Sequence, residues 1–204
     1  GPLDALEAFA EVHTRWSQSA SSLGMAQLMQ LVVIGDGPLR PEMERRVETL
    51  KLQDWVVFEG LRDPADVAGL MRRCRCLLLP SKTARDGDSE GCPVVVQEAQ
   101  LAGLPVISTL HAGIPEVVID GTTGFLCREG DVHGMASAIE TLLSNPEQAG
   151  VMGLAAQRYA TTHFTLDHHI EVVTSVLCSV LPAEAKIKSH QLMVRTGMIK
   201  QSSA

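Results

Sequence analysis

Aromatic side chains are scarce in this 204-residue chain, which holds two Trp, one Tyr and four Phe, so any core has to be built from aliphatic residues. Positive charge is also short. Lys and Arg number 17 against 24 Asp and Glu, a formal net charge of -7. That balance removes the electrostatic footprint a duplex-binding domain needs to neutralise phosphates, and it gives no attraction to anionic lipid. No apolar run approaches the roughly 18–20 residues that would span a bilayer. Asp4, Glu7 and Glu11 near the start argue against a secretory signal or transit peptide. The five cysteines, Cys74, Cys76, Cys92, Cys127 and Cys178, show no metal-ligand spacing. Their odd number favours reduced thiols in a cytosolic chain, read as small buried hydrophobes. At 45% hydrophobic and 20% charged the chain is too apolar for disorder.

What is there is an alternation. The apolar runs Leu31–Ile34, Trp55–Phe58, Cys76–Leu79, Pro105–Ser108 and Gly124–Leu126 are separated by segments whose apolar residues recur at helical spacing. Leu39, Met43, Val47 and Leu50 make one such stripe; Met135, Ala138, Ile139 and Leu142 make another. Asp63-Pro64, Asn145-Pro146 and Thr165 supply helix starts, with Pro acceptable in a first turn because its missing N–H has no partner there. Strands that are apolar throughout, not alternately, are buried on both faces, and with interleaved helices they predict an α/β, Rossmann-like doubly wound parallel sheet. The stretch Leu3–Trp16 reads as a helix with no strand before it, so the chain is expected to begin partway into a domain. That domain is expected to cover residues 1–180. Residues 181–204 lose helical periodicity and read as a frayed or partner-contacting tail.

Ligands of open α/β sheets sit outside the carboxyl ends of the strands. The longest polar insertion at such an end runs from Ser81 to Gly91 and is followed by Cys92-Pro93-Val94-Val95-Val96-Gln97-Glu98. Pro93 fits a first helical turn. The amides around Gly91, Cys92 and Val94 would then point outward at the positive end of a helix, a ready anion site that Gly91 lets a phosphate approach closely. Glu98, further along the helix, can accept from two vicinal hydroxyls, as ribose recognition requires, and Glu90 lies close to whatever the phosphates carry. The bland readings stand beside these. A Glu near a helix start can simply complement the dipole, and Val94, Val95 and Val96 can simply face the core. Gly35-Asp36-Gly37 follows a strand like a dinucleotide fingerprint, yet Arg40 stands where the third glycine belongs; the glycines read as tight-turn residues beside the cleft. Asp86-Gly87-Asp88 reads as loop capping in preference to a Mg²⁺ site.

The text Glu90-Gly-Cys-Pro-Val-Val-Val-Gln-Glu98 resembles the E-x7-E signature of the retaining, GT-B-fold glycosyltransferases of family 4. Gly35–Arg40, Val57–Gly60, Pro80-Ser81, Ala102–Ser108, Gly113–Val118 and Asp120–Leu126 match that family's pattern in order, over roughly residues 2 to 180. The wording around Asp86–Gly91 and His111–Glu116 is similar to bacterial enzymes of exopolysaccharide and colanic-acid assembly. The resemblance implies the C-terminal, donor-binding half of a GT-B enzyme, transferring sugar from a nucleotide diphosphate sugar to an acceptor hydroxyl in polysaccharide or glycolipid synthesis. It implies that Glu90, the catalytic candidate, contacts the donor sugar. Gly91 and Cys92 would hold sugar and distal phosphate, with Pro93 and Val94 beside them, and Glu98 would hold the ribose. Gly60, Leu61 and Arg62 would border the base, and Ser81 and Gly35 would line the cleft. His111 and Glu116 would border the donor without a catalytic role.

The same resemblance implies an N-terminal half elsewhere that carries the acceptor glycan or glycolipid. It also implies a strand before the first helix and an Arg and Lys gripping the diphosphate, none of which this sequence contains. No cofactor or metal is expected beyond the donor substrate, no nucleic acid and no transmembrane segment. The expected location is cytoplasmic, with the other half free to touch the inner membrane. Two competing classes remain: a nucleotide-binding module without turnover, and a nucleotide-sugar epimerase of the same fold.

Overall fold

In the computed structural model, residues 1–84, 87, 89 and 91–180 are described, apart from the side chains of 176–180. The expected tail, 181–204, lies outside the described residues. Residues 1–159 form one compact unit, and a second begins at residue 160.

The strands are β1 (Leu31–Ile34), β2 (Val56–Gly60), β3 (Leu77–Leu79), β4 (Val106–Thr109) and β5 (Gly124–Cys127). Two helices precede them, α1 (Pro2–Gln18) and α2 (Leu23–Leu28). Between them run α3 (Arg40–Leu50), α4 (Pro64–Met71), α5 (Val94–Leu101) and α6 (Ile114–Val117), and after them α7 (Val132–Ser144), α8 (Pro146–His163) and α9 (Leu166–Val180). Every ladder is parallel, as the uniformly apolar strands required. What the sequence did not foretell is the division into two sheets. In one, β1 pairs with β2, Leu31 opposite Val56; in the other the order is β3-β4-β5, Leu77 opposite Val106 and Val106 opposite Gly124.

One hydrophobic core nevertheless serves both sheets. α1 contributes Leu6, Phe9, Val12 and Trp16, α7 contributes Met135, Ile139 and Leu142, and Val33, Phe58, Leu78 and Phe125 pack on them from the strands. The spacing of those α1 residues is the 3.6-residue period of one buried face. α1 and α7 are also pinned at their edges, where Trp16 Nε1 donates to Glu140 Oε1 at 2.8 Å and Arg15 pairs with the same carboxylate at 2.8 Å.

Local signals set most boundaries. The Asp63 carboxylate accepts from the amide of Asp66 at 2.9 Å and starts α4, and Asn145 Oδ1 accepts from the amide of Gln148 at 3.1 Å and starts α8. Thr165 Oγ1 does the same for His168 at 3.1 Å at the start of α9. α2 has no counterpart in the sequence reading, because its six residues bury only Ala26 and so carry no apolar stripe. Among the described residues no helix is long and apolar enough to cross a membrane. The expectation for the cysteines holds only in part. Burial pushes the Cys76 thiol up to about 12, but Cys74 and Cys92 are exposed.

Candidate functional site

The polar connection after β3 begins with Ser81, a buried residue whose carbonyl accepts from Thr109 Oγ1 at the end of β4. One layer below, Ser108 Oγ donates to the Leu79 carbonyl at 2.6 Å. The Thr109 hydroxyl takes up the Ser81 carbonyl, and the Ser108 hydroxyl is a second donor to the Leu79 carbonyl, which also accepts from the Ser81 amide at 3.0 Å. The far end of the connection is held as tightly: the Gly113 amide donates to the Gly91 carbonyl at 2.7 Å, and a Cβ on Gly113 would lie 3.0 Å from that oxygen. Glu90 and the acidic pair Asp86 and Asp88 lie outside the described residues. Among the described residues no group of His, Cys, Asp and Glu could hold a metal ion.

Gly91 and Cys92 are exposed, and the space where a Gly91 side chain would stand is open to 4 Å. Pro93 is buried and caps α5 from outside, with extended backbone, so the helix starts at Val94 and not at Pro93. That one-residue difference corrects a second expectation. Val94 is not a core residue but is 66% exposed at the helix mouth, while Val96 and Ala99 face the core. A first helical position looks out along the axis and has no preceding turn to cover it. The amides of Val94 and Val95 therefore stand at the positive end of α5 without acceptors in the helix, and the first turn carries no acidic residue. Glu98 is exposed and lies beyond that turn, about a turn and a third in. Its position does not suit simple dipole complementation, which fades within the first turn.

In the other sheet, Gly35 and Gly60 meet at the carboxyl ends of β1 and β2, the Gly35 amide donating to the Gly60 carbonyl at 2.8 Å. Both have positive φ, +111° and +66°, which only glycine adopts without strain, so the two turns can close on each other. Asp36 Oδ1 accepts from the Gly37 amide at 2.8 Å, making the tight turn. Arg40, in the place of a third glycine, lies over the Phe58 ring at 5.5 Å and pairs with Glu44 at 2.9 Å. Leu61 is 81% exposed, and the Arg62 guanidinium is held by Glu59. α4, which follows this turn, packs on α5.

Two further residues, Thr83 and Glu129, were not singled out from sequence, and they meet His111, which was. Glu129, just past β5, accepts from the amide of Thr83 at 3.1 Å and contacts His111 Nδ1 at 2.7 Å, and Thr83 Oγ1 lies 3.4 Å away. No spacing signal joins Thr83, His111 and Glu129; only the fold brings them together. His111 and then the Thr83 amide hold the Glu129 carboxyl below the usual carboxylate range. A carboxyl depressed in this way keeps its contacts above its ordinary titration range and loses them as pH falls through the lowered value. The Thr83 amide resonance should therefore stay fixed from neutral pH down through mild acid and shift only below the ordinary carboxylate range. A midpoint at or above that range in an NMR titration would contradict this.

A shallow depression lined by Leu3, Glu7, Glu42, Arg45, Arg46 and Thr49 lies between α1 and α3, away from these turns.

The family model described as "Glycosyl transferases group 1" matches residues 1–159. The putative colanic acid biosynthesis glycosyltransferase WcaL of Escherichia coli (strain K12) is 34% identical over 153 residues, 74% of this chain and 36% of that protein. The amylovoran biosynthesis glycosyltransferase AmsK of Erwinia amylovora is 33% identical over 135 residues, 66% of this chain and 33% of that one. Among solved structures, Anabaena HepE in complex with UDP and glucose superposes with a TM-score of 0.62 at 27% identity, covering 74% of this chain and 40% of HepE. The chain thus spans about a third of the length of the curated relatives it matches.

Proposed function

Because the chain belongs to the glycosyl transferases group 1 family, we propose that it is the donor-binding half of a retaining, family 4 GT-B glycosyltransferase. In this reading the whole enzyme moves a sugar from a nucleotide diphosphate sugar to an acceptor hydroxyl in polysaccharide or glycolipid synthesis, of the exopolysaccharide and colanic-acid type. The observation that carries the reading is the mouth of α5. Two exposed residues, Gly91 and Cys92, lead into a helix N-terminus free of acidic side chains in its first turn, and an exposed Glu98 follows about a turn and a third in. A diphosphate on the amides, ribose hydroxyls on Glu98 and the donor sugar near Glu90 use each of these features once. The names of the relatives and the UDP bound to HepE support the same ligand class.

The bond from the anomeric carbon to the diphosphate oxygen breaks while the acceptor oxygen bonds the same face of that carbon, and the leaving phosphate takes the acceptor proton. Charge grows on the diphosphate as it leaves. Preorganised amides at a helix end stabilise that charge without reorganising, the kind of contribution worth several kcal/mol where water is excluded. The reading gives the site no resident metal. Gly60, Leu61 and Arg62 border the base, Gly35 and Ser81 line the cleft, and Pro93 and Val94 shape the diphosphate turn. The enzyme works in the cytoplasm, and the acceptor is bound by a further half of the protein.

A thermal-shift panel of UDP-, GDP- and ADP-sugars tests the reading, since a ligand that binds only the native state raises Tm, by about 2.7 kcal/mol of stability at a hundredfold excess over Kd. One base series should stabilise the chain, and a chelator should leave that shift unchanged. Glu98→Ala should weaken binding about 10- to 150-fold by removing charge-assisted hydrogen bonds worth about 1.5–3 kcal/mol. No shift with any donor, or equal affinity in the Glu98 variant, overturns the assignment.

A further inference from the structure

The turn after β4 does more than close a loop. It contains His111, Ala112 and Gly113; it bonds the Gly91 end of the connection that runs from Ser81 to Gly91 directly, and it reaches the Thr83 end through Glu129. At one end Glu129 gathers His111 Nδ1 at 2.7 Å and the Thr83 amide at 3.1 Å on a single carboxylate. At the other end the Gly113 amide holds the Gly91 carbonyl at 2.7 Å. Ala112, between them, sits at φ +44°, a left-handed conformation that a non-glycine residue keeps only where its surroundings over-determine it. His111 is 3% exposed, and its Nε2 is buried without a hydrogen-bond partner among the described residues. As filler, such an imidazole is a poor choice, since an aliphatic side chain of similar volume leaves no orphaned nitrogen. What the imidazole adds is its contact with Glu129.

We propose that Glu129 and His111 are positioning residues for the donor site: together they lock the turn after β4, Glu129 holds the Thr83 end of the 81–91 connection and the turn holds its Gly91 end, setting the Gly91–Cys92 amides where a diphosphate reaches them. The donor part of this inference rests on the function proposed above; the clamp itself does not. Neither residue touches the reacting atoms. Their effect passes through Thr83 at one end and Gly113 at the other.

The test combines amide hydrogen exchange with nucleotide titration on the 204-residue chain and its Glu129→Ala, Glu129→Gln and His111→Leu variants. In Glu129→Ala and His111→Leu, the Gly113 amide, which Glu129 does not touch, should exchange about tenfold faster along with Thr83, while amides of β4 and α7 stay protected. Glu129→Gln should restore most of the protection, because its amide oxygen still accepts from Thr83 and its NH₂ can face His111. In the same variants the affinity for whichever of UDP-glucose, GDP-glucose and ADP-glucose binds the parent chain should fall about tenfold. His111→Leu should not lower Tm. Unchanged Gly113 exchange, or faster exchange everywhere together with a lower Tm, overturns the clamp. Local loosening with full nucleotide affinity overturns the positioning role. A parent chain that binds none of the three nucleotides overturns instead the functional reading, and the donor role with it, while the exchange data still decide the clamp.

Discussion

Gly91→Val should lose about a hundredfold in affinity for the donor nucleotide while its melting temperature stays where it was. The reasoning runs through what surrounds the glycine. Among the described residues, no atom apart from its chain neighbours lies within 4 Å of the place a Cβ would take, and its φ is not in the left-handed region, so the folded chain accepts a side chain there. The same open space is where the proposed diphosphate approaches the Gly91 and Cys92 amides. An isopropyl group in it denies the ligand about two charge-assisted hydrogen bonds, worth about 3 kcal/mol together at the low end, hence the hundredfold. Calorimetric titration of parent and variant, each with a thermal melt, separates the two effects. A variant that binds as the parent does would put the anion site somewhere other than the mouth of α5.

Gly124→Ala should do the opposite, destabilising the chain without any direct effect on ligand contacts. Gly124 opens β5 and pairs with Val106 of β4. A Cβ at this position would stand 2.0 Å from the Val106 carbonyl oxygen and 3.0 Å from its nitrogen, both backbone atoms. β4 cannot retreat, because Val106, Ile107, Ser108 and Thr109 are all buried and its far edge is bonded to β3. Overpacking a core costs about 1–3 kcal/mol where side chains can yield, and more where only backbone can move. We expect about 3 kcal/mol, which for a chain of this size lowers Tm by roughly 10 °C. Urea and thermal melts measure it directly, and a loss below 1 kcal/mol would mean that β5 shifts along the ladder to make room. The two glycines thus form a matched pair, one guarding a ligand's space and one guarding a strand's.

Much of this architecture could be read from residue order alone. Runs such as Leu31–Ile34 and Cys76–Leu79, apolar at every position, form strands that are parallel, although β1 and β3 are half-buried and Ile34 is exposed where burial on both faces was expected. The caps Asp63, Asn145 and Thr165 mark the starts of α4, α8 and α9, because a cap is a contact across three residues and needs nothing from elsewhere in the chain. The stripe of α7 is likewise written in its own spacing, and its residues are the ones buried. Where the signal was weak, it failed for a nameable reason. α2 buries one side chain and leaves no period to detect. Val94 was grouped with Val95 and Val96 because three valines in a row look alike until the first helical residue is known.

The candidate site was legible as text and not as geometry. The stretch from Gly91 to Glu98 could be singled out because it sits at a strand end and because its wording is similar to a known family. What holds that stretch in place could not. The Gly113 amide reaches Gly91 across 22 residues of sequence and Glu129 meets Thr83 across 46. Such pairs have no period, and their partners are chosen by which strand ends come to lie side by side.

The amino-acid order by itself determined the class of fold and the positions of its strands and most of its helices, which follow from contacts within a few residues or from burial averaged over a face. Only the tertiary structure decided that the strands form two sheets around one core, that α5 begins at Val94, and that Glu129 and Gly113 hold the two ends of the connection after β3 while His111 bonds Glu129. Those outcomes depend on hydrogen bonds between strand termini far apart in the chain, and such bonds exist only once the sheet has set its neighbours.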